Sequence, residues 1–151
     1  EAKAAADAGR YPEALKLLAA VIKAEPRNAD ALNLMGYSNR KMNRMAEAAR
    51  WYDAALKANP KHLGALEYQG EMFVETGDYA SARANLNRLA ALCGKCAEYN
   101  DLHAALMAAP SGVYARFHRV QSERGLGLVD DTRVTAIAPA PEAGGPVRRK
   151  A

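Results

Sequence analysis

Apolar side chains recur along the first two thirds of the chain in steps of four and three residues: Ala14, Leu18, Val21, then Ala48, Tyr52, Ala55, then Ala82, Leu86, Leu89. Steps of this size mark one face of a helix, whereas a half-buried strand would alternate every second residue. Each stripe follows Gly9, Asn43 or Gly77, residue types that accept a left-handed backbone and so end one helix and turn into the next. Ahead of the second and third stripes lie DALNLMGYSNRKM and GALEYQGEMFVET, which read as partner helices. The pattern predicts helices near 1–8, 12–24, 29–42, 45–58, 63–76 and 79–92.

These elements repeat at a fixed interval. Pro26 and Pro60 close two stretches of the same shape 34 residues apart, and a third copy begins at Gly77. Leu32, Met35 and Gly36 correspond to Leu66, Gln69 and Gly70. Glycine inside a helix costs roughly 0.5–1 kcal/mol relative to alanine, so its return in register predicts a close helix crossing. A helix-turn-helix unit of this length, with these residues, resembles the tetratricopeptide repeat, whose units stack into a right-handed superhelix. The residues carrying the resemblance are Leu32, Met35, Gly36, Ala48, Tyr52, Ala55 and Pro60 in the second copy, and Leu66, Gly70, Phe73, Gly77, Tyr79, Ala82, Leu86 and Leu89 in the third. It covers about residues 1–108 and implies an all-α solenoid of about three repeats plus a capping helix.

The pattern departs from the family at three places. The first copy lacks most of its leading helix, Asn39 and Gln69 replace apolar residues, and Gly94 stands where a third closing proline belongs. After it, CGKCAEYNDLHAALMAA reads as the capping helix, with Leu102, Ala105, Leu106 and Ala109 on one side and Glu98, Asp101 and His103 on the polar face that a terminal unit needs. The predicted organisation is a repeat domain over 1–110 and a tail over 111–151.

Composition sharpens this picture. The chain has 151 residues, and its 34 alanines outnumber the 26 Leu, Ile, Val and Phe residues together, so the core must be thin and close-packed. No run of about 18 apolar residues is present, which argues against a membrane-spanning helix. The opening EAKAAADAGRYPEALK is charged and amphipathic, unlike a signal peptide, and a start at Glu1 leaves a processed export signal and a trimmed chain both open. Residues 1–110 hold 14 basic and 13 acidic side chains, and residues 111–151 hold 7 and 4. The body is nearly neutral and lacks the dense basic face of a nucleic-acid binder, so no nucleic-acid partner is expected.

Cys93 and Cys96 are the sharpest chemical feature. Two cysteines at this spacing serve as a structural disulfide, a redox couple, half a zinc site or a pair of free thiols. Covalent haem would need histidine where Ala97 stands, and zinc would need about four ligands while His62, His103 and His118 are scattered. A disulfide replacing the missing proline as a helix stop fits best; it would add about 2 kcal/mol on the chain-entropy estimate and imply an oxidising compartment. The text LCGKCAEYNDL is similar to the end of small exported proteobacterial tetratricopeptide proteins, which implies a bacterial, periplasmic or exported protein, the alternative being cytoplasmic.

The resemblance also implies a concave face that receives peptides. By register this face carries Asp30, Asn33, Tyr37, Arg40 and Lys41 from the second copy, and Glu67, Glu71, Val74 and Glu75 from the third. The three glutamates form one acidic stripe, with like charges opposing one another by roughly 0.2–0.5 kcal/mol per pair. Either Lys41 neutralises part of the stripe, or Glu67 and Glu71 read a basic ligand segment beside Tyr37. Leu34 and Glu71 stand at the positions of the carboxylate clamp used by chaperone-type relatives, so no such clamp is expected.

Catalytic patterns are missing: there is no Ser-His-Asp context, and GLG at 125–127 is too short for a nucleotide fingerprint. The expected function is a non-catalytic protein–protein interaction scaffold or assembly factor for a peptide or protein partner, with no cofactor, metal or small-molecule substrate. The alternatives are a permanent subunit of a larger complex, contacted through Trp51 and the first helix, and a thiol redox or metal-handling protein using the cysteine pair. In the tail, Val113, Phe117 and Val120 suit a short docking helix, and 124–151 reads as an extended arm with VTAIA as its one strand-like run. That arm is a solvated remnant, a strap for a partner, or a pseudo-ligand whose Arg148, Arg149 and Lys150 complement the acidic stripe.

Overall fold

The structure, a computed structural model, describes residues 1–109; the expected docking helix and arm lie outside them. The described residues form seven helices: α1 (Ala2–Asp7), α2 (Tyr11–Ala24), α3 (Ala29–Lys41), α4 (Met45–Ala58), α5 (Leu63–Thr76), α6 (Tyr79–Cys93) and α7 (Ala97–Met107). No strand occurs among them. The described residues are an all-α array of tetratricopeptide-type helix pairs.

The turns inside the pairs follow one recipe three times. Gly9, Asn43 and Gly77 adopt φ of +80°, +64° and +86°. In each turn the next residue's N–H reaches back to a carbonyl of the preceding helix: Arg10 to Ala5, Arg44 to Asn39 and Asp78 to Phe73, all at 2.8 Å. This pairing satisfies carbonyls that a helix end otherwise leaves bare. Helix starts are capped at the same interval, Asn28 Oδ1 accepting from the Ala31 N–H and His62 Nδ1 from the Ala65 N–H, both at 3.0 Å. Glu13, Asp30 and Glu47 lie in first turns and Lys23, Lys41 and Lys57 in last turns, complementing the helix dipoles.

The fold divides within α5 into two compact units, Glu1–Gln69 and the residues from Gly70 onward. In the first unit, Ala5, Ala6, Ala14, Leu18, Ala31 and Met35 form one core cluster, and Leu32, Ala55 and Ala65 form another. Trp51, expected as a contact for a larger complex, packs against both clusters and is half-buried. Gly36 explains its own recurrence, since a Cβ there would stand 2.6 Å from Cδ1 of Tyr52, a fully buried ring with no room to retreat. The out-of-pattern polar residues are bonded: Asn39 Nδ2 donates to Met35 O at 2.8 Å, and Gln69 Nε2 to Asp53 Oδ1 at 3.0 Å. A buried amide without such a partner would cost about 1–3 kcal/mol.

Val21 departs from its repeat equivalents. Ala55 and Leu89 are fully buried, whereas Val21 is 36% exposed.

In the second unit, Met72, Ala82, Leu86, Leu89, Leu102 and Leu106 are buried. Helix α7 packs on α6, and its Leu102 lies over Gly70, where a Cβ would stand 2.8 Å from Leu102 Cδ1. Asp78 Oδ1 caps α6 at the Ser81 N–H, 3.2 Å away. At the other end of α6, Gly94 is the helix stop, with φ +65°, in the position held by proline in the earlier copies.

Candidate functional site

Helix α3 puts Asn33, Tyr37, Arg40 and Lys41 along one line because they are separated by about one and two turns. Tyr37 is the hub. Its ring is 4.8 Å from that of Tyr68 on α5 and 6.3 Å from that of Tyr11 at the start of α2, in an edge-to-face arrangement. The Arg40 guanidinium lies 5.7 Å from the Tyr37 centroid and 5.8 Å from the Tyr68 centroid, and Lys41 Nζ lies 5.5 Å from Tyr37. Aromatic faces carry partial negative charge, so each cation is attracted to its ring, by about 0.5–2 kcal/mol depending on desolvation.

Burial separates these residues. Arg40 is 5% exposed and Asn33 6%, while Tyr37 and Tyr68 are half-buried and Lys41 is exposed. Arg40 thus stiffens the platform, and the rings and Lys41 present it. Burial pushes the Tyr37 phenol above its ordinary range, the neighbouring Tyr11 adds to this, and Arg40 opposes it. The hydroxyl therefore stays a neutral donor well beyond physiological pH. Asn33 lies against α5, its Nδ2 being 3.1 Å from where a Cβ on Gly64 would sit. Asn33 Oδ1 is a buried acceptor with no hydrogen-bond partner among the described residues.

The expected acidic stripe is distributed differently from a uniform exposed row. Glu67 belongs to the first unit and is 9% exposed; Glu71 and Glu75 belong to the second, half-buried and exposed respectively. The structure thus groups Asn33, Tyr37, Arg40 and Lys41 with two tyrosines that sequence reasoning passed over. Tyr68 sits one residue past the line carried over by register, and Tyr11 follows the Gly9 turn. A position-by-position transfer misses rings that reach sideways by about 6 Å to meet.

His62 was another silent residue. Because its Nδ1 accepts from Ala65, Nε2 carries the proton and donates to Asp30 Oδ1 at 2.6 Å, joining the starts of α5 and α3. Cys93 and Cys96 are paired as a disulfide across the α6–α7 turn, with Cα atoms 5.6 Å apart. No group of three or more metal-ligating side chains occurs among the described residues, nor does any helix long and apolar enough to cross a membrane.

The repeat geometry agrees with comparison to known families. The tetratricopeptide repeat family model matches residues 1–62 and again residues 35–95, the second match starting one repeat further on. The chain belongs to the tetratricopeptide repeat family. No curated protein matches it. As a tetratricopeptide repeat protein it is a protein–protein interaction scaffold in general type, and its own surface must supply the specificity.

Proposed function

We propose that the chain is a non-catalytic adaptor that takes an extended peptide segment of a partner protein on the α3–α5 face of its first unit. The observation that carries this reading is the Tyr37–Tyr68 platform held from below by Arg40, with Lys41 at its rim. Two half-buried rings offer flat apolar area at small entropic cost, the composition of interface hot spots.

The disulfide supports placement in an oxidising compartment, and with it the reading of an exported or periplasmic bacterial protein. Affinity capture from native extract tests the adaptor role. The intact chain should retain a partner that the Tyr37→Ala, Tyr68→Ala double variant loses while remaining folded, as judged by its helical circular dichroism. Equal retention by the folded double variant would place recognition elsewhere.

A further inference from the structure

The charged groups around the tyrosine platform differ in whether the chain itself already pairs them. Asp7 on α1 is held by Lys3 Nζ at 2.7 Å, Glu13 at the start of α2 by Arg10 Nε at 2.8 Å, and Asp30 at the start of α3 by His62 Nε2 at 2.6 Å. Glu67, Glu71 and Glu75 on α5 each interact with another residue of the chain, as does the enclosed Arg40. Lys41 at the end of α3 and Arg44 in the turn after it are exposed, and neither makes an ion pair among the described residues. Each carboxylate named here has a partner, and the charge left over beside the platform is positive.

The rings carry the same bias. Tyr37 already has the chain's own cations over it, Arg40 at 5.7 Å and Lys41 at 5.5 Å from its centroid, and Arg40 is also 5.8 Å from the centroid of Tyr68. A ring attracts a cation through its quadrupole, but a further cation has to be brought up against those in place. A basic ligand side chain meets that repulsion, whereas a carboxylate meets Lys41 Nζ.

We propose that the platform selects an extended segment bearing an internal glutamate or aspartate side chain two residues from an apolar anchor, the anchor lying on Tyr37 and Tyr68 and the carboxylate pairing with Lys41. This deepens the adaptor role and rests on it. Side chains i and i+2 of an extended segment point to one side, about 6.5–7 Å apart, and the side chain between them points away. Lys41 Nζ lies 5.5 Å from the Tyr37 centroid, and its flexible stem closes the remaining gap. With Asn33 and Arg40 only 6% and 5% exposed, Lys41 meets the ligand as a single point charge. That suits a side-chain carboxylate and falls short of the several donors that would single out a chain terminus.

The test presents the intact chain with short acetylated and amidated peptides of serine and threonine, each carrying one leucine or tryptophan anchor and one test residue. At low salt, glutamate two residues from the anchor should bind about two- to fivefold tighter than glutamine there, and the gain should shrink as salt is added. Glutamate directly beside the anchor should show no such gain. Lys41→Gln should erase the ratio, and Lys41→Glu should invert it in favour of a lysine peptide. Equal or tighter binding of the lysine peptide to the unaltered chain would overturn the proposal. So would a glutamate preference that survives Lys41→Gln, an equal gain at the adjacent position, or tighter binding of a peptide whose free C-terminal carboxylate replaces the side chain. Binding of no peptide in the set, or binding that the folded Tyr37→Ala, Tyr68→Ala variant keeps, would instead overturn the adaptor site itself and the proposal with it.

Discussion

Helices α3 and α7 occupy equivalent places two repeats apart, yet they are packed differently. Where α3 has Asn33, Tyr37, Arg40 and Lys41, the register of α7 brings Asp101, Ala105, Ala108 and Ala109. Eight of the thirteen residues of α3 are buried, against two of the eleven in α7, Leu102 and Leu106. Helix α3 is packed from more than one direction and still presents a ring platform. Helix α7 buries one narrow line, and Asp101 and three alanines stand at the positions equivalent to Asn33, Tyr37, Arg40 and Lys41. The repeat framework thus specifies where a helix goes, and the residues at its free positions decide whether it reads a partner or closes a core.

The largest way to break this contrast is at the line α7 buries. Leu102→Ala removes a fully buried side chain lying over Gly70 and should cost about 2–5 kcal/mol, seen as a lower urea midpoint. A loss under about 1 kcal/mol would mean that α7 is not anchored there. Next comes Gly36→Ala on α3, where the added methyl meets the immobile Tyr52 ring; it should destabilise by about 1–3 kcal/mol, against the small gain expected of a free helix glycine. Thermal unfolding decides between the two signs.

Smaller effects sharpen the comparison at the helix starts. Asn28→Ala and His62→Ala each remove a cap and should cost about 1 kcal/mol. Cys96, at the N-cap of α7, makes no side-chain cap bond, so Cys96→Ser should be more stable than Cys96→Ala by a similar amount, because serine can supply that bond. The smallest effect is a pH dependence. The Tyr37 phenol is raised in the fold, so its contribution is full below the ordinary tyrosine range near 10 and declines as pH rises through the folded value. In Tyr37→Phe that alkaline decline in stability should be shallower by one proton's share.

Much of this fold was legible because packing repeats. Ala14, Ala48 and Ala82, the three left-handed turn residues and the two crossing glycines recur at one spacing, so helix positions followed to within about two residues. The fit of Asn39 and Gln69 was not legible, since their hydrogen bonds depend on which carbonyl or carboxylate a neighbouring turn presents. The site was legible in part. Tyr37, Arg40 and Lys41 fell on the expected line, but Tyr11 and Tyr68 come from other helices and only the folded backbone brings their rings to Tyr37. Asn33, Arg40 and Glu67 proved more enclosed than an exposed groove line suggests, because alanine-rich helices approach closely and cover the bases of their neighbours' side chains.

The central claim is that α3 reads and α7 closes, and site-directed photocrosslinking tests it most directly. A benzophenone amino acid is placed at Tyr37 in one version of the chain and at the equivalent Ala105 in another, and each is irradiated in native extract. The account predicts a discrete crosslinked partner from position 37 and none from position 105. A partner captured at 105 and not at 37, with both versions folded, would contradict it.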